Sequence, residues 1–353
     1  MDLKARVSVT GNQFTVNSKR IWFNGVNTPW NKWNDFGGGY DDAWWDIHFK
    51  ELHSAGINAV RVWINCNNDN GAINIEDSGI IKGVSQKHWA DLDKFFLTAE
   101  RYQKYIKATL VSFDHFKDTG KRPSAEKWRN MLKNDAAVKS FADNYTTQFA
   151  KRYGDNPILW CIDICNEPDW VYENPECGKI EWERISYFFA VNAAAIHENC
   201  KTLVTVGMSF PKYNSDYEKS EGNKLSDNFL QNLYSNKNAY LDFWSQHYYD
   251  WVGAHYGVPF YKNPYGPQPE GFGLDSSKPA VIGECAALGS KGKTAGTENN
   301  TIITDYENAF LNGWQGVMPW TSNGVDGCGN FNDLKPATEF MAAKYKEFIF
   351  PSA

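Results

Sequence analysis

Short apolar runs recur at regular intervals along the chain, and each is rich in β-branched and aromatic residues. Runs of this length and composition predict buried β-strands. Eight of them follow one another, and they are Ile21–Val26, Asn58–Ile64, Ile106–Phe113, Ile158–Ile164, Leu203–Gly207, Asp242–His247, Ala280–Gly283 and Gly316–Trp320.

Amphipathic segments with a helical period separate most of these runs, the clearest being Ala43–Ala55, Trp89–Tyr102, Ala137–Tyr153 and Ile180–Asn199. Strands that alternate with helices pair in parallel. Eight such units without a linker or low-complexity break predict an α/β protein with a closed (β/α)8 TIM barrel. A doubly wound sheet would carry a Gly-rich phosphate turn after its first strand. Residues 25–30 contain no such turn, which favours the barrel.

An antiparallel element precedes the predicted barrel. Residues 7–17 form two alternating runs around Gly11 and Asn12, a pattern typical of a β-hairpin. We expect residues 1–353 to form a single domain, with this hairpin as an additional cover over the barrel floor.

The composition indicates a globular protein with an uncharged ligand. Of the 353 residues 42% are hydrophobic and 22% charged, and the net charge is −6. Lys and Arg form no basic stripe, which argues against a nucleic-acid partner. No apolar run approaches the ~20 residues that span a membrane. The 15 Trp and 18 Tyr indicate either an aromatic core or a saccharide cleft, since indole rings match the apolar faces and polar edges of sugars.

The seven cysteines predict neither a metal site nor a cofactor. They form no CxxC pair and no Cys/His cluster with zinc spacing. Their odd number leaves at least one thiol unpaired within the chain, so the compartment stays open on this evidence.

Two glutamates stand at the ends of predicted strands, where barrel enzymes gather their catalytic groups. Glu167 follows the fourth run, whose apolar side chains would raise the carboxyl pKa and keep a proton available near neutral pH. Glu284 ends the seventh run, and Arg61 in the second run would keep it ionised. The alternatives are a helix-capping role for Glu167 and a structural ion pair for Arg61.

One protonated and one ionised carboxyl together predict glycoside hydrolysis. Acids on the fourth and seventh strands of a barrel face each other across its mouth. Retaining enzymes place the carboxyls about 5–5.5 Å apart and inverting enzymes about 6.5–9.5 Å. The spacing along the chain leaves this choice open.

These positions together resemble glycoside hydrolase family 5 of clan A. Asn166-Glu167-Pro168 is similar to the family's acid/base motif, and Ile282-Gly283-Glu284 is similar to its nucleophile motif. The resemblance covers essentially the whole chain and depends on the joint order of the residues. The other matching positions are Arg61, His247, Tyr249 and Trp320.

The resemblance implies a retaining mechanism and a role for each matching residue. Glu284 would attack the anomeric carbon, and Glu167 would protonate the leaving oxygen and then activate water. Asn166 would hold the 2-hydroxyl group. The supporting roles are Tyr249 as donor to Glu284, Arg61 beneath Glu284, His247 orienting its neighbours, and Trp320 as the floor of the subsite at the cleavage point.

The sequence of the loop after the first strand indicates the expected substrate. Residues 27–30 followed by 35–39 resemble the start of invertebrate-type and related bacterial endo-β-1,4-mannanases of the family. Trp30 and Trp33 would then be sugar platforms, or else loop-packing aromatics. His115 matches a family histidine near the third strand's end approximately, and is either a subsite residue or a plain loop histidine.

The leading hypothesis is therefore a secreted, monomeric, retaining endo-hydrolase of β-1,4-mannan, glucomannan or galactomannan. It would need no cofactor and no metal, and its partner would be the β-linked polysaccharide. No signal peptide is recognisable at the first residues, so secretion implies its removal. An endo-β-1,4-glucanase with the same machinery is the alternative, either a cellulase or a mixed-linkage glucanase. A barrel that binds saccharide without cleaving it is the third hypothesis, against which the pair of acids argues.

Overall fold

The structure is a computed structural model, which describes residues 5–118, 120, 124–216, 220–256, 268–293 and 297–351. Its strands, in chain order, are β1 (Ser8–Thr10), β2 (Gln13–Val16), β3 (Lys19–Ile21), β4 (Phe23–Asn27), β5 (Ala59–Trp63), β6 (Ile73–Ile75), β7 (Ile81–Val84), β8 (Tyr105–Ser112), β9 (Leu159–Asn166), β10 (Leu203–Met208), β11 (Trp244–Tyr248), β12 (Ala280–Cys285) and β13 (Gly316–Val317). Its α-helices are α1 (Asp42–Ser54), α2 (Gln86–Arg101), α3 (Ser124–Lys133), α4 (Asp135–Phe141), α5 (Thr147–Tyr153), α6 (Asp169–Glu173), α7 (Trp182–Asn199), α8 (Asp227–Tyr234), α9 (Asp250–Tyr256), α10 (Ile302–Leu311), α11 (Phe331–Lys344) and α12 (Lys346–Ile349).

Eight strands close into a barrel in the order β4-β5-β8-β9-β10-β11-β12-β13, and β13 pairs with β4. Every pairing in the ring is parallel, as helical crossovers require. The register places Arg61 of β5 opposite both Asn27 of β4 and Lys107 of β8. The predicted (β/α)8 fold is confirmed.

The strand bounds differ from the predicted runs by one or two residues at most ends, and the first and last runs differ the most. The first run spans two strands, because Trp22 separates β3 from β4 by donating its backbone N–H to the carbonyl of Phe348 at 2.8 Å. The last run is a strand over two residues, after which Trp320 forms isolated bridges to Asn27 and Ala286. Trp320 therefore reaches the mouth of the barrel beside the end of β4.

Local sequence explains the helix starts. The carboxylate of Asp41 accepts from the Trp44 N–H at the start of α1, and Ser85 accepts from the Lys87 N–H at the start of α2. The predicted segment Ala137–Tyr153 lies in α4 and α5, with a π-helical turn between them.

The antiparallel hairpin β6–β7 was not predicted from the sequence. Within the described part of the chain, no helix combines the length and apolar composition of a membrane span.

An aromatic cluster fills the end of the barrel where the strands begin. Strands β1, β2 and β3 form an antiparallel sheet, and Phe14 of β2 is fully buried. Its ring lies 5.2 Å from Phe23, 5.4 Å from Trp160 and 5.0 Å from Phe243, each edge to face. Such contacts are favourable for aromatic rings and close this end of the barrel.

Candidate active site

A cavity of about 280 Å³ opens at the carboxyl ends of the barrel strands. A larger groove of about 660 Å³ lies beside β6 and β7, but its described lining contains no carboxylate. We therefore place the chemistry in the smaller cavity, which is lined by Trp30, Trp33, Trp63, Phe113, Asp114, Asn166, Glu167, Tyr249, Trp251, Glu284, Trp320, Asp326 and Cys328.

Glu167 follows directly on the end of β9 in a constrained backbone conformation. Its φ is +47°, in the left-handed region that non-glycine residues occupy at a cost. Its N–H donates to the Gly207 carbonyl at 2.7 Å, which anchors the turn to β10. One carboxyl oxygen lies 2.9 Å from Nδ1 of His247, and the other accepts from Nε1 of Trp170 at 2.9 Å. The carboxyl group is thereby fixed from two sides.

The surroundings of Glu167 favour a protonated carboxyl. Burial raises its pKa well above the usual value, and the negative charges of Glu284 and Asp169 raise it further. The hydrogen bond from Trp170 acts in the opposite direction, because it stabilises the carboxylate. Burial is the largest of these effects, so Glu167 retains its proton to higher pH than a solvated glutamate.

Glu284 lies within β12, and its carboxyl meets cations and donors. Nη1 of Arg61 donates to Oε1, and the hydroxyl of Tyr249 donates to Oε2 at 2.9 Å. Burial raises the pKa of Glu284, but Arg61, Tyr249 and Lys107 lower it. Glu167 has no comparable set of opposing charges, so Glu284 is the carboxyl that ionises first.

Arg61 joins three strands of the barrel through its guanidinium group and is fully buried. Nε donates to Asp163 at 2.8 Å, Nη1 to Asn27 at 3.1 Å and Nη2 to Asn166 at 2.8 Å, besides the bond to Glu284. Because the guanidinium group is planar and all three of its nitrogens donate hydrogen bonds, these contacts fix its orientation. The bond to the oxygen of Asn166 leaves that side chain its NH₂ group as the donor for a ligand.

His247 lies between the two acids. Its Nδ1 is 2.9 Å from Oε1 of Glu167 and 3.5 Å from Oε1 of Glu284. Burial lowers the pKa of His247 well below its usual value, and the charges of Arg61 and Lys107 lower it further, so the ring is neutral. Nε2 has no hydrogen-bond partner in the described part of the chain. We assign the proton to Nδ1. An unpaired buried acceptor nitrogen at Nε2 costs less free energy than an unpaired buried N–H would at the same place.

Four tryptophans form one wall of the cavity, on the side of β13, β4 and β5. The ring of Trp30 lies 4.7 Å from Trp33, 5.2 Å from Trp63 and 5.8 Å from Trp320. Trp33 keeps 41% of its surface exposed, whereas Trp30 keeps 9%. Trp33 is therefore the most exposed ring of this cluster, and Trp30 is packed among its neighbours.

A second aromatic pair lies across the barrel, on helices α6 and α9, which follow β9 and β11. The rings of Trp170 and Trp251 stack at 6.0 Å with an interplanar angle of 13°. Trp251 is 54% exposed and lines the cavity. A chain of sugar rings lying across the acids would therefore meet apolar faces on both sides of them.

His115 lies outside the described lining of the cavity, so the geometry gives no support to the alternative in which it is a subsite residue. The side chain is fully buried, with Nε2 3.0 Å from Oδ1 of Asn65 and the ring 4.6 Å from Trp128. The short 3-10 turn after β8 directs it away from the cavity, and Phe113 and Asp114 line the cavity instead.

Several residues of the site escaped prediction. Trp170 stands three residues after Glu167, one helical turn away, which is the spacing at which side chains meet. Asp163 and Lys107 lie inside runs that were predicted as apolar strands. A charged residue in a buried strand is rarely placed there without a partner, and that was the signal that could have found them.

Three side chains of the site have the types that bind metals. Ligand atoms of Glu167, His247 and Glu284 lie within 4.8 Å of one another. Arg61 already donates to Glu284, so a metal ion at that carboxylate would meet a buried positive charge. We assign no metal to this cluster.

The chain is similar to known proteins in both sequence and fold. No family model matches the sequence. The chain is 24% identical over 347 residues to the mannan endo-1,4-β-mannosidase of Mytilus edulis, covering 91% of this chain and 89% of that one. It superimposes on the β-mannanase structure from Mytilus edulis with a TM-score of 0.81 at 21% identity, covering 97% of each chain.

A second solved structure gives the same result. The β-1,4-mannanase of the sea hare Aplysia kurodai matches with a TM-score of 0.81 at 21% identity, covering 98% of this chain and 99% of that one. Similarity at this identity establishes the barrel along nearly the whole chain. The resemblance predicted from the sequence, to endo-β-1,4-mannanase-like members of glycoside hydrolase family 5, is confirmed by these similarities.

Proposed function

We propose that the protein is a retaining endo-β-1,4-mannanase that works by double displacement with Glu284 as nucleophile and Glu167 as acid and base. The observation that carries the proposal is the pair itself. One oxygen of each carboxyl lies within 4.8 Å of one oxygen of the other, which is nearer to the separation of about 5–5.5 Å in the retaining class than to that of about 6.5–9.5 Å in the inverting class. Burial raises the pKa of both acids, but Arg61, Tyr249 and Lys107 oppose the rise at Glu284, so Glu284 ionises first.

In the first step Glu284 attacks the anomeric carbon while Glu167 gives its proton to the glycosidic oxygen. The bond to the leaving sugar breaks, and a glycosyl ester forms on Glu284. Loss of the charge on Glu284 removes a repulsion and lowers the pKa of Glu167, which then accepts a proton from water. That water attacks the anomeric carbon, and Glu284 leaves as the carboxylate.

The neighbouring residues would support these steps. Tyr249 and Arg61 hold the carboxylate of Glu284, and His247 orients Glu167. The NH₂ group of Asn166 would donate to the 2-hydroxyl group of the sugar. Trp320 would floor the subsite at the cleavage point, with Trp30 and Trp33 as further platforms.

The substrate assignment rests on the relatives and on the shape of the cleft. Both relatives found by sequence are mannan endo-1,4-β-mannosidases. Aromatic rings on both sides of the acids suit a chain that continues in both directions, as an endo-acting enzyme requires. We propose that the enzyme acts outside the cell, because a long polysaccharide does not cross membranes. We also propose that it acts as a monomer.

Hydrolysis of a substrate panel tests the proposal. Release of reducing ends from mannan and glucomannan should far exceed release from carboxymethyl-cellulose and lichenan. Proton NMR of the reaction should show the β-anomer first. Preferential cleavage of the glucans would overturn the substrate, and first appearance of the α-anomer would overturn the mechanism.

A further inference from the structure

The barrel interior below the two acids holds a second buried cation that the proposed mechanism does not use. Lys107 of β8 lies opposite Arg61 in the strand register, and its side chain is fully buried. Its Nζ lies 3.6 Å from Oδ2 of Asp163 and donates to Oγ of Ser245. A buried ammonium group is costly without an anion, and Asp163 is the anion it has.

Asp163 is shared between the two cations. Its Oδ2 also accepts from Nε of Arg61 at 2.8 Å and from Thr109 at 3.1 Å, and its Oδ1 accepts from the Gly207 N–H at 2.9 Å. Arg61 in turn donates to Glu284. The side chains of Lys107, Asp163, Arg61 and Glu284 therefore form a buried row of alternating charges, which we call the charge row.

The charge row is neutral when all four groups are ionised. When Glu284 becomes an ester in the proposed reaction, Glu167 loses its proton, so the charge row and Glu167 together stay neutral. If Lys107 were absent, Arg61 would face two carboxylates alone, and a proton on Glu284 would restore neutrality. The balance thus depends on a residue that touches neither acid.

We propose that Lys107 is a positioning residue for the nucleophile: it balances Asp163, so that Arg61 is left to hold Glu284 ionised. This inference rests on the proposed function, in which Glu284 must be ionised to attack. Lys107 lowers the pKa of Glu284, as the inference requires. The titratable and charged groups that face the charge row from the surrounding strands and loops are Cys161, Cys165, Glu167, His247, Tyr249 and Cys328.

Three variants test the inference through the pH profile of kcat/KM. K107M removes the cation at similar side-chain length, so both limbs of the profile should move up by about one pH unit. D163N removes the anion and keeps an acceptor for Arg61, so both limbs should move down. The double variant K107M/D163N restores neutrality, and its profile should return close to that of the wild type. A role in packing alone would lower stability without these opposite shifts.

Lys104 provides the matched control. It is also buried, immediately before β8, and donates to the carbonyl of Ile57 near the barrel floor. Burial lowers its pKa to about 7. K104M should change stability and leave both limbs in place.

A second readout needs no hydrolysis. In protein labelled with ¹³C at the glutamate carboxyls, the signal absent from E284Q identifies Glu284, and its titration midpoint should rise in K107M and fall in D163N. A wild type that cleaves no polysaccharide would refute the proposed function, while these midpoints would still decide the role of Lys107. Unchanged midpoints in an active enzyme would overturn the inference alone, and D163N with the double variant decides it if K107M does not fold.

Discussion

The two ends of strand β9 differ in chemical character, although only a few residues separate them. At the floor, the ring of Trp160 stacks 3.6 Å from Phe23 and 5.3 Å from Phe243. At the mouth, Asp163 and Asn166 bind a buried guanidinium, and both side chains are as inaccessible as Trp160. One end is buried and apolar, the other buried and charged.

This difference gives the two ends different roles: the floor contributes to stability, and the mouth carries the reactive groups. Aromatic packing at the floor lowers the free energy of the folded state through burial of the rings and their mutual contacts. The groups at the mouth lose their hydration on folding, and their ion pairs at best compensate for that loss. We therefore expect floor substitutions to unfold the protein and mouth substitutions to inactivate it.

The largest effect should come from the acids themselves. E284Q should lower kcat on the order of 10^4-fold or more, since loss of a nucleophile disables a group of residues that act as a unit. E167Q should lower kcat by about 10^2- to 10^4-fold through loss of proton transfer. Thermal unfolding should show both variants folded. E167Q should be no less stable than the wild type, because it replaces a carboxyl that is already neutral, whereas E284Q should lose stability, because it leaves the buried Arg61 with one carboxylate fewer. Near-normal turnover in either variant would remove that residue from the mechanism.

The converse variant, W160A, should affect stability and spare chemistry. Truncating the central ring of the floor cluster should cost about 3–5 kcal/mol in the free energy of unfolding. Denaturant titration measures this loss, and kcat of the folded fraction at low temperature should stay near the wild-type value. A large loss of kcat with unchanged stability would contradict the separation of the two ends.

The same contrast explains what the sequence could predict. The periodicity of apolar runs follows directly from burial, so the barrel and most strand positions were predictable, and Glu167 was recognisable from the apolar run before it. The contact between Arg61 and Glu284 was predicted, but the contacts of Lys107 and Asp163 depend on register between strands far apart in sequence, and no local pattern identifies their partners. The position of His115 was unpredictable for a related reason, since the direction of a side chain after a strand depends on a 3-10 turn that the sequence did not indicate.

A smaller effect should separate the roles of the two acids. Y249F removes the donor to Oε2 of Glu284, a bond to a charged group worth about 1.5–3 kcal/mol. The pKa of Glu284 should rise, so the acidic limb of the kcat/KM profile should move up by about one pH unit and the profile should narrow. The basic limb, which reports Glu167, should stay in place. Movement of the basic limb alone would reverse the assignment of nucleophile and acid.

The smallest effect should appear on the opposite limb. W170F keeps an aromatic ring against Trp251 and removes the N–H that donates to Oε2 of Glu167 at 2.9 Å. That hydrogen bond lowers the pKa of Glu167, so its loss raises the pKa. The indole N–H donates to the protonated carboxyl as well as to the carboxylate, so only about 1 kcal/mol of this bond distinguishes the two protonation states, and the basic limb should move up by about 0.7 pH unit.

The sign of this shift distinguishes an electrostatic role of Trp170 from a packing role. With a higher pKa, Glu167 stays protonated to higher pH, and the profile widens on the alkaline side while the acidic limb stays fixed. W251F is the matched control, because it alters the other ring of the stacked pair and leaves the donor to Glu167 intact. Equal shifts in both variants would mean that stacking, and not the hydrogen bond, sets the protonation of the acid.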